Sequence, residues 1–297
     1  MAPVVRTRDL TKRYGRAVGI EALDLEIPPG VVLGWLGPNG AGKTTTIRLL
    51  AGLLRPTRGR AEVLGIDVAD APDRVQARIG HLPGAFTAYG DLTGEQYLRY
   101  LGSLRGGVEH GAVRRLAERL DLDLSRRIGA LSHGNRQKVG IVQAFMHGPE
   151  LLLLDEPTTG LDPLMQREFL AMVREATADG RTVLLSSHVL AEVEVVADVV
   201  GIVRRGRLVA VDAVEELKAR ARRRLDLVFA DAAPGEVLSA VPGVREVHVD
   251  GTTAQVVVEG STAELIRALA PYRVEDLVSH EADLEEIFLA HYAEAEE

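Results

Sequence analysis

Residues 37–45 read GPNGAGKTT, a glycine-rich turn that ends in a lysine and two hydroxyls. The pattern G-x-x-x-x-G-K-[ST] is that of a phosphate-binding P-loop. Gly37, Gly40 and Gly42 free the backbone to curl around Pro38, Asn39 and Ala41. Successive N–H groups then point inward at phosphate oxygens, and a helix starting at Lys43 adds the positive end of its dipole. In that chemistry Lys43 bridges the β- and γ-phosphates, Thr44 places its hydroxyl on Mg²⁺, and Thr45 continues the loop into the helix. Acid chemistry must come from elsewhere, and LLLLDEP (151–157) supplies it. Four leucines predict a buried central strand whose carboxyl end delivers Asp155 to the edge where such sheets bind ligands. Asp155 can hold Mg²⁺ through its water shell, and Glu156 can orient or deprotonate an attacking water. His188 closes a second apolar run, TVLLSSH, so it is expected at the same edge, within reach of a γ-phosphate. One further anion-seeking feature stands apart. LSHGNRQKVG (131–140) opens with a Ser132-His133-Gly134-Asn135 turn at the start of a helix, where free N–H groups attract anions, yet no second phosphate loop lies beside it in the chain.

The elements needed to position these residues are legible in the surrounding pattern. The first thirty residues alternate polar and apolar side chains before Pro28-Pro29-Gly30, which predicts an antiparallel β layer. VVLGWLG then reads as a buried strand, and GKTTTIRLLAGLL as a helix through Ile47, Leu50 and Leu54. Residues 90–150 read as mostly helical. Thr93 and Gln96 form a capping box ahead of a face made of Tyr97, Tyr100, Leu101 and Leu104, and a second helix carries Val113, Leu116 and Leu120. ELLLLDEP and RTVLLSSH flank a helix over about 163–178, the β-α-β rhythm of a parallel sheet covered on both faces.

After Val211 the character changes. VEELKARARRR predicts a charged helix, and beyond it the pattern runs strand, helix (234–240), two strands joined at Asp250-Gly251, helix (262–269), strand, and a final helix in DLEEIFLAHY. This is the order of a small α+β domain of ferredoxin-like type, with the basic run Lys218–Arg224 as the joint. The expected organisation is a domain over 1–215, with a helical subdomain at about 90–150, and a C-terminal accessory domain over 216–297.

Composition limits the alternatives. A net charge of −8 argues against a surface that wraps nucleic acid, which needs excess Lys and Arg. There is no cysteine for disulfides or thiolate metal sites. The opening MAPVVRTRDL lacks the pattern of a secretory signal, and no uninterrupted apolar run of about 18 residues predicts a membrane span.

Taken in order over about residues 4–212, these segments resemble the ATP-binding subunits of ABC transporters, most closely those of bacterial ABC exporters. The resemblance implies an α/β P-loop NTPase core with an antiparallel β layer and a helical subdomain, binding ATP and Mg²⁺. Tyr14 in LTKRYG is similar to the aromatic that stacks on adenine, TGLD (159–162) to the loop that carries Asp162, His188 to the switch histidine, and LSHGN to the family signature, usually LSGGQ. In this family two such domains stack head to tail, so the anion awaited by Ser132 and Gly134 is implied to be the γ-phosphate held by a second copy or a paralogous ATPase. Integral membrane permease subunits are the other implied partner, which places the chain at the cytoplasmic face of the membrane, with a drug, lipid or other lipophilic compound as cargo. Two departures stand out. His133 and Asn135 replace the family's glycine and glutamine, while Ser132 and Gly134 keep the hydroxyl and the unhindered N–H. Gly84 stands where a glutamine or glutamate follows His-Leu-Pro, so the usual metal ligand and link to the permease lacks its side chain. Residues 84–91 remain the expected surface for the permease. The alternative, a non-transport ABC ATPase acting on nucleic acid or ribosomes, is disfavoured by the acidity.

Overall fold

Alternating burial along two long strands builds the first layer. β1 (Val5–Tyr14) and β2 (Ala17–Ile27) pair antiparallel, from Val5 opposite Ile27 to Tyr14 opposite Ala17. β3 (Val32–Leu36) is buried at every position and leads through the glycine loop into α1 (Lys43–Leu50). β4 (Arg58–Val63) and β5 (Ile66–Asp67) complete the antiparallel layer in the order β2-β1-β4-β5. The chain continues through α2 (Pro72–Arg78), β6 (Ile79–Leu82) and three helices, α3 (Gly94–Leu104), α4 (His110–Arg119) and α5 (His133–Phe145). It returns to the centre with β7 (Leu151–Asp155), α6 (Pro163–Ala178), β8 (Thr182–Ser187), α7 (Leu190–Val196), β9 (Val199–Arg204) and β10 (Arg207–Ala213).

The central sheet has the order β10-β9-β3-β8-β7-β6, and β9, β3, β8, β7 and β6 run parallel through it. β3, β7 and β8 are neighbours, so the segments that follow them leave the sheet at one edge. That is the edge where open parallel sheets collect their ligands. Trp35, fully buried on β3, lies against Gly201 of β9, where a Cβ would come 2.5 Å from its ring.

The capping box forms as its sequence predicts: Gln96 N donates to Thr93 Oγ1 at 3.2 Å and Thr93 N to Gln96 Oε1 at 2.9 Å. The face of α3 is a correction. Tyr97 and Leu98 are buried, whereas Tyr100 and Leu104 are 47% and 66% exposed. The helix packs on α5 through Tyr97, whose hydroxyl donates to Gln143 Oε1 at 2.7 Å, and that turns the Tyr100 stripe outward.

The computed structural model describes residues 2–220 and 222–280, and separates into two units, Met1–Val211 and Asp212–Glu297. The expected boundary at 215/216 lies slightly later, inside α8 (Val214–Arg220). The second unit continues with β11 (Arg222–Phe229), α9 (Gly235–Ser239), β12 (Val244–Asp250), β13 (Thr253–Glu259), α10 (Ala263–Leu269) and β14 (Val274–His280). Its antiparallel sheet runs β12-β13-β11-β14 around a core of Leu225, Leu227, Phe229, Leu238, Val256 and Leu265. Arg222–Arg224 belong to a strand and not to the charged helix, because their backbone pairs with Val257–Glu259. The hairpin loop is Gly251-Thr252, one residue later than the dipeptide suggests, since Asp250 still pairs with Thr253. The helix expected in DLEEIFLAHY lies outside the described residues, as do residue 221 and the side chains of residues 218–222 in the basic joint.

Candidate functional site

Three chain segments converge at the carboxyl edge of the central sheet. After β3 the loop curls through Gly40 and Gly42, at φ 81° and 110°, a region open to glycine at little cost. A Cβ on Gly42 would stand 2.6 Å from the Gly19 carbonyl oxygen, and one on Gly37 2.4 Å from that of Val203, so both positions require the bare backbone. α1 begins at Lys43 with no side chain capping its first N–H groups. Those donors face a cup of about 190 Å³ lined by Gly19, Pro38, Asn39, Gly40, Gly42, Lys43, Thr44, Thr45 and Glu156. Gly37 and Ala41 shape the loop from behind, Ala41 being buried. The cup is smaller than the roughly 300–1,000 Å³ of a complete small-molecule site, which suits one end of a ligand.

Lys43 is the buried cation of this cup, 6% exposed. Its Nζ donates to Gly37 O at 2.5 Å and Pro38 O at 3.3 Å, and lies 3.2 Å from Glu156 Oε1, an ion pair outside hydrogen-bonding geometry. Glu156 Oε2 accepts from His188 Nδ1 at 2.7 Å. Residues 43, 156 and 188, from three separate motifs, therefore form one contiguous group.

Glu156 sits at φ 47°, a left-handed conformation that costs a glutamate on the order of 1–3 kcal/mol and persists only where its surroundings fix it. Ser186 does the fixing. Glu156 N donates to Ser186 Oγ at 3.0 Å and faces Ser186 O at 3.2 Å, while Ser186 Oγ donates to Asp155 Oδ1 at 2.7 Å. Ser186 thus holds both Asp155 and Glu156 in place, a position that motif reading misses; its only signal is a serine pair closing an apolar strand. Gly19 is another. Its missing Cβ leaves room for the Tyr14 ring, which would otherwise be met at 2.8 Å; Tyr14, about half exposed, packs on Gly19 without lining the cup itself.

The second oxygen of Asp155 faces Gly84, where a Cβ would lie 3.0 Å from Oδ2. On the adjacent strand β6, His81 feels the Asp155 carboxylate, but burial outweighs it and holds the imidazole down to about 4. Near neutrality His81 therefore adds no positive charge beside Asp155. Asp155 is itself buried, and the described residues hold no cluster of three or more His, Cys, Asp or Glu that could bind a metal alone. One carboxylate plus the Thr44 hydroxyl is a donor set suited to Mg²⁺, which keeps waters and takes substrate phosphates as ligands.

The signature turn is elsewhere. Neither Ser132 nor Gly134 lines the cup. Ser132 is the N-cap of α5, its Oγ accepting from Asn135 N at 3.3 Å, and it is exposed. Gly134 packs on the loop after β7, where a Cβ would stand 2.4 Å from Gly160 O. His133 fits because Gly160 lacks a Cβ, which would meet its ring at 2.4 Å. Asp162 caps α6, accepting from Leu164 N at 3.1 Å and Met165 N at 3.0 Å.

Comparison with known proteins decides what these parts belong to. Residues 20–159 match the ABC transporter family model. The chain is 35% identical over 257 residues to the bacitracin transport ATP-binding protein BcrA of Bacillus licheniformis, covering 84% of each chain. It is 37% identical to the daunorubicin/doxorubicin resistance ATP-binding protein DrrA of Streptomyces peucetius, covering 96% of this chain and 91% of that one. The chain belongs to the ATP-binding subunits of ABC transporters. A solved ATP-binding subunit of an ABC transporter superposes with a TM-score of 0.67 at 32% identity, over 72% of this chain and 92% of the other. The protein is accordingly an ABC-type ATPase with the α/β cassette fold, and the alternative of an ATPase acting on nucleic acid or ribosomes is set aside.

Proposed function

We propose that this ABC ATPase works as a pair, with a second copy of itself or a paralogous subunit, and powers the export of a drug, lipid or other lipophilic compound through separate permease subunits at the cytoplasmic face of the membrane. The cargo class rests on what the relatives are named for, bacitracin transport and daunorubicin or doxorubicin resistance. No helix among the described residues is long and apolar enough to cross a membrane, so on this reading the path lies in other chains.

The observation that carries the pairing is the one-sidedness of the cup. Lys43, Glu156 and His188 meet there, while Ser132 and Gly134 of the same chain do not line it. In the pair, Tyr14 stacks on adenine, the backbone from Gly37 to Thr45 cradles the phosphates, and the partner's Ser132 and Gly134 close the γ-phosphate from the far side. Asp162, at the start of α6 beside the signature turn, stands at the same junction. Thr44 and Asp155 would hold Mg²⁺, which supplies charge neutralisation on the phosphate oxygens. Lys43 offsets the charge on the transferred group, Glu156 takes the proton of the attacking water, and His188 keeps the carboxylate oriented through its 2.7 Å bond while reaching toward the γ-phosphate.

For the permease, residues 84–91 are the proposed contact. Tyr89, 63% exposed, packs edge-on against Tyr97 and Tyr100 at centroid distances of 6.2 and 6.4 Å and forms an aromatic border on α3. The C-terminal unit, with its strand-helix-strand-strand-helix-strand order, is proposed as a ferredoxin-like accessory domain that supports the pair.

Glu156→Gln tests the reading. ATP binding should persist while turnover falls by about 10²–10⁴-fold, the range for losing a general base, and light scattering should show dimers at saturating ATP. Wild-type turnover in this variant refutes the base assignment, and monomers at saturating ATP refute the pairing.

A further inference from the structure

Glu192 has no place in the motifs, yet it sits where two of them meet. It lies in the first turn of α7, and its Oε2 accepts from Thr158 Oγ1 at 2.7 Å and, at 3.2 Å, from Ser187 Oγ, whose single proton is shared with Val189 O at 3.3 Å. Thr158 and Ser187 are 5% and 1% exposed. Thr158 belongs to the loop that begins at Glu156 and ends at Asp162; Ser187 precedes His188. One carboxylate oxygen therefore bonds both the segment carrying the proposed base and the segment carrying the switch histidine.

Glu156 itself is held by Ser186 and Lys43, but Thr158 and Ser187 join the two loops to each other through Glu192. Beyond the 2.7 Å bond between His188 and Glu156, the histidine is half exposed and follows the last residue of β8. The Ser187 hydroxyl also accepts from Val189 N at 2.9 Å, so holding Ser187 holds the backbone on either side of His188. On the other loop, Thr158 O accepts from Leu161 N at 3.0 Å, and Gln137 of α5 donates to Pro157 O at 3.0 Å. Gly160, which lies between the hydrogen-bonded Thr158 and Leu161, is the glycine against which Gly134 and His133 of the signature turn rest.

We propose that Glu192 is a positioning residue for hydrolysis: it fastens the loop of Glu156 to the loop of His188, so that the base and the switch histidine hold one geometry, and it connects that geometry to the signature turn of the same chain. The inference rests on the roles proposed above for Glu156 and His188. A charged oxygen suits the task because hydrogen bonds to an ionised acceptor are roughly twice as strong as neutral ones, and one oxygen can accept from two hydroxyls. Glu192 touches neither substrate nor the reacting atoms; it acts through Thr158 and Ser187.

The test uses the purified full-length chain with ATP and Mg²⁺, comparing Glu192→Ala, Glu192→Gln and Thr158→Val with wild type and with Glu156→Gln. Misplacing catalytic groups by about 1 Å costs on the order of a hundredfold, so Glu192→Ala is expected to lower kcat by about ten- to a hundredfold while ATP affinity stays within about twofold. Glu192→Gln, whose amide oxygen still accepts from both hydroxyls, should recover most of the rate. Thr158→Val should lower kcat as Glu192→Ala does, and the double variant should be no worse than the poorer single one. Full kcat in Glu192→Ala or in Thr158→Val overturns the proposal. So does a loss in which kcat, ATP affinity and melting temperature fall together in Glu192→Gln as well, because that marks a purely structural role. If Glu192→Ala does not fold, Thr158→Val and Glu192→Gln decide by the same criteria. Normal hydrolysis in the Glu156→Gln control would instead count against the base assignment beneath it, which separates the two failures.

Discussion

The cup and the signature turn are both helix N-termini, but they are finished in opposite ways. At α1 no side chain caps the first N–H groups; glycines curl the preceding loop and a buried lysine sits in the cavity, so the site is built to receive charge. At α5 the Ser132 hydroxyl already accepts from Asn135 N, Ser132 and His133 are exposed, and neither Ser132 nor Gly134 lines the cup that holds Lys43. A helix dipole alone is therefore a weak distinction between anion sites. What separates these two is enclosure: the first carries its own cation and wall, whereas the second, on the proposed reading, meets an anion only when a partner brings it.

Of changes made at the two helix starts, the largest effect should come from removing the cation. Lys43→Ala takes away the group held at Gly37 O and facing Glu156. Loss of a charged hydrogen bond of about 1.5–3 kcal/mol predicts ATP binding weaker by roughly ten- to a hundredfold, measured by calorimetry, with hydrolysis lowered further. Unchanged binding would remove the cup's claim to the phosphates. Gly134→Ala probes the other helix. Its Cβ would stand 2.4 Å from Gly160 O, so the turn must shift against a backbone atom. Hydrolysis is expected to fall by about tenfold or more while ATP affinity at the cup stays within about twofold, because in the proposed pair the turn reaches only the partner's nucleotide. Equal losses of affinity and turnover would mean that both helices serve one site within a chain, and the contrast between them would collapse.

The cup was readable because its parts are contiguous: GPNGAGKTT carries both the curl and the cation, and the leucine run places Asp155 and Glu156 without further information. Ser186 and Glu192 were not, since each acts on a residue about thirty positions away, through side-chain directions that no local pattern encodes. The same reason explains the misread face of α3. Helical spacing groups Tyr97 with Tyr100 and Leu104, but only packing against α5 shows that Tyr97 and Leu98 go inward. Arg222–Arg224 look helical by composition and are strand by pairing with Val257–Glu259, a case of tertiary context overriding propensity.

The smallest predicted effect concerns the far end of α5. His147 follows that helix, and its Nε2–H donates to Ile79 O at 3.0 Å, leaving Nδ1 buried without a partner among the described residues. Burial, then the nearby Arg105, lower its pKa to about 4 from an ordinary 6.5. A proton on Nδ1 would have nothing to bond, so the folded chain resists it and the unfolded chain does not. Between pH 6.5 and 4 the unfolded state therefore binds more protons, and stability falls as pH falls through that window. The contribution is present in full above pH 6.5 and amounts to about 2 kcal/mol, reduced from the full shift because the ring is only partly buried. Urea midpoints taken across the window should show a shallower acid loss in His147→Phe than in wild type. An unaltered pH slope in the variant would place the acid sensitivity elsewhere, with His81 beside Asp155 the other imidazole among the described residues that burial holds down to about 4.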